Sequence, residues 1–73
     1  MHITYDPEAD ALYVSLRTVD HATTREVASG VHLDYADDGR LAGIELLGAR
    51  ELLDNPLDVH VELLADLAAS SQT

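Results

Sequence analysis

The sequence predicts an α+β fold: an antiparallel β-meander of about four strands with a C-terminal helix packed on one face. Three observations carry this reading. Ala11 to Arg17 alternates apolar and polar residues. Two further alternating runs flank Asp37-Asp38-Gly39, as in a β-hairpin. After Asn55 the apolar spacing lengthens to that of a helix. The expected layout is one domain over residues 1–73, with sheet over 2–47 and helix over 56–69.

In chain order, His2 to Tyr5 alternates, with Ile3 and Tyr5 on one side. Asp6-Pro7-Glu8-Ala9-Asp10 turns the chain: Asp6 can accept backbone N–H groups, and Pro7 presets its own dihedral. In the next strand Leu12, Val14 and Leu16 face one way, and Tyr13, Ser15 and Arg17 the other. Thr18 to Thr23 reads as a polar loop, and Thr24 to Ala28 as a third strand. Ser29-Gly30 bends the chain into Val31, so that residues 24–35 fit one kinked strand or two short ones.

The hairpin of Val31 to Leu46 organises the rest. A four-residue loop, Ala36 to Gly39, places Tyr35 opposite Arg40, Leu33 opposite Ala42 and Val31 opposite Ile44. A three-residue loop would set Leu33 against Gly43 and Val31 against Glu45, which sends side chains to the wrong face. Gly48 to Asp54 reads as one short helical turn carrying Leu52 and Leu53. Asn55 as N-cap, Pro56 at the first position and Asp58 in the first turn then start the terminal helix. Leu57, Val61, Leu64, Ala65 and Ala68 share one arc, widened by Leu63 and Leu67, while Asp58, Glu62 and Asp66 lie opposite. A strand at Asp58 to Val61 ranks second, and Ser70 to Thr73 is expected to fray.

Composition bounds the function. A chain of 73 residues buries only about 60% of its unfolded surface. With three Tyr, no Phe, no Trp and no Cys, its core is aliphatic and unstapled, and oligomerisation is the expected supplement. The formal charge is −10, and all four cations are Arg. That surface repels nucleic acid and anionic membranes and favours a basic protein partner. No run of apolar residues reaches membrane-span length and the first residues resemble no export signal, so a cytoplasmic protein is expected.

Several groups are candidates for chemistry. Asp6 and Asp10 flank a turn and suit turn formation better than cation binding. His32, Asp34 and Glu45 share the second face of the sheet, with His32 opposite Gly43 and diagonal to Glu45. They are the candidates for a metal site or an acid–base pair. His2, His21 and His60 have no ligand spacing, the glycines mark turns and strand bends, and Ser15 and Ser29 lack a nucleophile setting. No catalytic residue and no cofactor is expected. The second face also carries Tyr13, Leu41 and Leu47, which with Leu63 and Leu67 of the helix form the expected interface.

Two segments carry a family resemblance. Tyr5-Asp6-Pro7-Glu8-Ala9-Asp10-Ala11-Leu12-Tyr13-Val14 is one. Gly30-Val31-His32-Leu33-Asp34-Tyr35 followed by Asp38-Gly39-Arg40-Leu41-Ala42-Gly43-Ile44-Glu45 is the other. In this order and spacing, over roughly residues 2–53, they resemble the small bacterial domain-of-unknown-function family 2283. The resemblance implies a short, mostly β, cytoplasmic domain of prokaryotic type with no assigned activity and no catalytic residues. It also implies, for some members, the role of the smaller partner beside a basic RNase-like toxin.

The expected function is therefore a non-enzymatic, homo-oligomeric protein-interaction module, a dimer foremost, antitoxin-like in neutralising a basic partner. The alternative is a small metal-binding protein or metal-assisted hydrolase built on His32, Asp34 and Glu45.

Overall fold

Strand follows strand in an antiparallel sheet, described by a computed structural model over residues 1–64. The elements are β1 (His2–Asp6), β2 (Ala11–Ser15), β3 (Thr23–Ala28), β4 (Val31–Tyr35), β5 (Leu41–Leu47) and the short α1 (Ala49–Leu52). There are five strands rather than about four, because Ser29-Gly30 separates β3 from β4. Gly30 takes a φ of +77°, a left-handed conformation that reverses the chain there. The strand order is β1-β2-β5-β4-β3. A hairpin, β1–β2, thus joins a three-stranded meander, β3–β4–β5, through its last strand.

The β4–β5 register differs from the expected one. Observed partners are Val31–Leu46, His32–Glu45, Leu33–Ile44, Asp34–Gly43 and Tyr35–Leu41. Two separate one-residue shifts produce this. The loop closes on three residues: Ala36 N–H donates to Arg40 O at 2.8 Å, and Gly39 N–H donates to Ala36 O at 2.9 Å. Gly39, at φ +86°, supplies the left-handed residue of that closure. A bulge between Asp34 and Tyr35 then leaves Ala42 as an extra residue on β5. One shift alone would invert the faces, whereas two restore them. Val31, Leu33, Ile44 and Leu46 therefore still point to one side, as expected.

That side of the sheet also receives Ile3 and Tyr5 from β1 and Leu12 and Val14 from β2, through the pairs Ile3–Val14, Tyr5–Leu12, Leu12–Leu46 and Val14–Ile44. The opposite side carries Thr4, Tyr13, Glu45, His32 and Glu26 in one cross-strand row. Among the described residues, only Leu12, Ala42 and Ala49 are buried hydrophobics, and no large side chain is fully buried. The apolar side is a single layer.

The helix expected over 56–69 is absent from the part of it described. Asn55 Oδ1 accepts from Leu57 N–H at 3.0 Å and Asn55 O from Asp58 N–H at 3.0 Å, which closes a turn. Residues 59–64 then run as irregular chain. β-Branched Val59 and Val61 flanking His60 weaken helix propensity where the second turn would form. Residues 65–69, including Leu67, lie outside the described residues. The short turn expected over Gly48 to Asp54 is present as α1.

α1 is fastened to the β1–β2 turn by Asp10. Within that turn Asp6 Oδ1 accepts the N–H groups of Glu8 (3.0 Å) and Ala9 (3.3 Å). Asp10 follows at φ 52°, left-handed although it is not glycine. Its carbonyl accepts Ala49 N–H at 3.0 Å, and its carboxylate accepts Arg50 N–H at 3.1 Å and the Tyr5 hydroxyl at 2.7 Å. The Arg50 guanidinium donates to Pro7 O at 3.3 Å and lies 6.0 Å from the centre of the Tyr5 ring. Both ends of the sheet segment thus meet at one carboxylate.

Three substitutions test this framework. Asp10→Ala leaves Tyr5 and the first turn of α1 without an acceptor and should cost about 1–3 kcal/mol in urea unfolding. Asp10→Asn tolerates the left-handed conformation, keeps an acceptor and should retain most of that stability. Gly30→Ala forces a side chain into the left-handed region, at about 1–2 kcal/mol. It also places a Cβ 2.6 Å from Leu47 O, so its midpoint should fall further than the backbone term alone.

Candidate functional site

On the polar side of the sheet one hydrogen-bonded chain spans four strands. Tyr13 on β2 pairs with Glu45, and the next β2–β5 pair on that side is Ser15–Gly43. Gly43 has no side chain, so the Tyr13 ring lies across it; a Cβ there would collide with the hydroxyl. Reaching over β5, Tyr13 Oη donates to Asp34 Oδ2 at 2.7 Å. From β3, Thr24 Oγ1 donates to Asp34 Oδ1 at 2.6 Å. The bond to Asp34 holds the Tyr13 hydroxyl above the ordinary tyrosine range, helped by desolvation and by the charges of Asp34 and Glu45.

His32 sits between two acids. Glu45 is its partner on β5 and Glu26 its partner on β3. Its Nε2 lies 3.9 Å from Glu26 Oε2, and its Nδ1 is buried without a hydrogen-bond partner. The sequence-predicted trio is therefore on one face, with His32 directly opposite Glu45 rather than diagonal to it. It does not converge. Both Asp34 oxygens are occupied by Tyr13 and Thr24. Among the described residues, no group of three or more His, Cys, Asp or Glu has the geometry to hold a metal ion. Asp6 and Asp10 serve the turn and α1.

Two grooves of about 460 Å³ each lie away from this trio. One is polar, between the β2–β3 loop and the β4–β5 loop, and includes Arg17, His21, Asp37 and Arg40. Its cations are engaged: Arg17 Nε donates to Leu41 O at 3.1 Å, and Arg40 Nε to Asp38 Oδ2 at 2.7 Å. The backbone N–H and guanidinium of Arg40 hold the Asp38 carboxyl below its usual range. The other groove is apolar and lies on the single-layer side, between Ile3, Leu12, Val14 and Leu46 of the sheet and Leu53, Pro56 and Val59 of the chain that follows α1.

The expected interface residues are dispersed. Tyr13 is half-buried and tied to Asp34, and Leu41 is half-buried opposite Tyr35. Leu47 is 40% exposed and Leu63 73% exposed. Leu67 lies outside the described residues. Ile3, Val14 and Leu46 lie on the apolar side that the expected helix was to cover. No helix among the described residues covers them, and they line an open groove. Alternating apolar residues at Leu57, Val59, Val61 and Leu63 were the signal for this, since that spacing argues against a helix.

Comparison with known proteins gives one family. The model for the family described as "Protein of unknown function (DUF2283)" matches residues 2–50, which spans β1 to the first residues of α1. No curated protein and no solved structure matches the chain. Among the described residues, no helix is long and apolar enough to cross a membrane.

Tyr13→Phe should lower stability by about 1–2 kcal/mol, read from chemical unfolding, because it leaves Asp34 short of one donor. Gly43→Ala should displace the Tyr13 ring and abolish the same bond, so combining it with Tyr13→Phe should cost less than the sum of the two. Because the folded-state pKa of Tyr13 is raised, its contribution is complete below the ordinary tyrosine range and is lost as pH rises through the folded value. Tyrosinate absorbance should contain a late-titrating component that moves to lower pH in Asp34→Asn.

Proposed function

We propose, from the premise that the chain belongs to the DUF2283 family of proteins of unknown function, that it is a non-enzymatic protein-interaction module acting as a homodimer. The apolar side of the sheet carries this reading. Val14, Val31, Leu33, Ile44 and Leu46 share that side, and all remain only half-buried. A sheet with one apolar face is stable in water when a second layer covers that face. A second copy of the same sheet supplies such a layer at the ordinary sheet-to-sheet spacing of about 10 Å.

The charge supports a second kind of contact. At −10, with no Lys and four Arg, the outer surface suits a basic protein and opposes phosphate backbones. Electrostatic steering would speed association with a basic partner and weaken with added salt. Neutralising a basic toxin-like protein, as an antitoxin does, is the concrete form of this reading. The polar side then serves as the outer wall of the dimer, with Asp34 and Glu45 among its carboxylates. A cytoplasmic location accords with that role.

Light scattering should give twice the chain mass of 7.9 kDa, falling toward one chain on dilution. A mass of one chain at every concentration would remove the dimer. Co-expression with a basic toxin-like protein encoded beside it should yield a co-purifying complex whose association slows with salt, and should restore growth. Growth arrest with no complex would remove the antitoxin-like role and leave the dimer standing.

A further inference from the structure

Leu57, Val59, Val61 and Leu63 alternate with Asp58, His60 and Glu62. This is the spacing of a half-buried strand, yet the segment pairs with nothing among the described residues. Leu57, Val59, Val61 and Leu63 are 74%, 54%, 79% and 73% exposed. Residues 59–64 make no backbone hydrogen bond within the described residues. From Val59 onward this strand-like stretch has no main-chain partner among the described residues, and its apolar side chains are exposed.

Among the described residues the sheet has two open edges, β1 and β3, and they differ. β3 is guarded: Arg25 and Glu26 sit on it, a bulge between Glu26 and Ala28 interrupts its pairing, and Val27 is 53% exposed at that bulge. β1 is not guarded. It pairs with β2 over five unbroken positions, has no proline or bulge, and carries a carboxylate only at its end, Asp6. Its outer N–H and C=O groups face away from the sheet, and Ile3 and Tyr5 continue the apolar side to that edge.

We propose that residues 57–63 of one copy add as a sixth strand to the outer edge of β1 in a second copy, and reciprocally. The main-chain groups of β1 and of the segment then satisfy each other. Leu57, Val59, Val61 and Leu63 extend the apolar side past Ile3 and Tyr5, while Asp58, His60 and Glu62 join the polar side. A second copy is the occupant because the chain's own segment takes another course. Pro56, Asp58 and Val59 line one open groove with Ile3, Leu12, Val14 and Leu46 over the apolar side, and they form no ladder with β1. Beyond Val59 the side chains of Val61, Leu63 and Leu64 are 79%, 73% and 85% exposed. The inference rests on the dimer reading above and adds the element exchanged and the edge that receives it.

The test uses the full chain, which has no native cysteine. One preparation carries Thr4→Cys and another His60→Cys, and the two are mixed with a short bismaleimide. A cross-linked species with one chain of each kind is expected, together with slowed amide exchange at 57–63 and along β1. His60→Pro, which removes a strand N–H where the single chain has no regular structure, should shift the light-scattering mass from two chains toward one while β2 and β5 stay protected. A dimer with fast exchange at 57–63 and an unchanged His60→Pro mass would overturn the strand exchange and leave the dimer. Protection of 57–63 in a one-chain species, with cross-links only within a Thr4→Cys/His60→Cys chain, would overturn the choice of a second copy. A one-chain species with fast exchange at 57–63 would remove both readings.

Discussion

Ala42 stands as an extra residue in the central strand, and its place between Leu41 and Gly43 governs which side chains reach which face. A three-residue closure at Asp37–Gly39 moves the pairing by one, and the bulge moves it by one more. Without the bulge, every residue of β5 beyond it would turn over, and Ile44 and Leu46 would exchange sides with Glu45. Ala42 has a firm seat: it is 2% exposed, and its carbonyl accepts Leu16 N–H at 2.8 Å and Arg17 N–H at 3.3 Å from the end of β2. Those two bonds also guide the chain out of β2 toward the far edge, where β3 begins. The bulge therefore sets both the facing of the sheet and the exit of the crossing loop.

Much of this was legible in the residues. Alternation located β1, β2, β4 and β5, and the Asp-Asp-Gly turn located the hairpin. The register was not legible, because two compensating shifts leave the same face pattern as none. The expected terminal helix does not form over residues 56–64, although Asn55-Pro56 is a strong start signal and Val59 and His60 oppose it only weakly. On the polar side, the shared face of His32, Asp34 and Glu45 could be derived from alternation. The engagement of Asp34 by Tyr13 could not be derived, since it depends on a ring crossing a position that lacks a side chain. Gly43 within a strand was the available clue to a close approach, and it was read as a bend.

The two sides of the sheet divide the work. On the polar side Tyr13, Asp34 and Thr24 tie β2, β4 and β3 together across β5 by side chains alone, which stiffens a sheet that has little core beneath it. On the apolar side the stabilising layer is incomplete among the described residues. The dimer proposed above would supply the missing layer and so would couple folding to association.

The Asp10 contact with Arg50 bridges 40 residues of sequence. The β1–β2 hairpin is held to the remainder by this clasp and by the β2–β5 ladder, whereas the covalent link between the two halves is the exposed loop over 16–22. Chain continuity there contributes little beyond proximity. Cut in that loop, the molecule becomes two fragments that retain complementary edges and a shared carboxylate, so it is a natural candidate for a split protein reassembling from its halves.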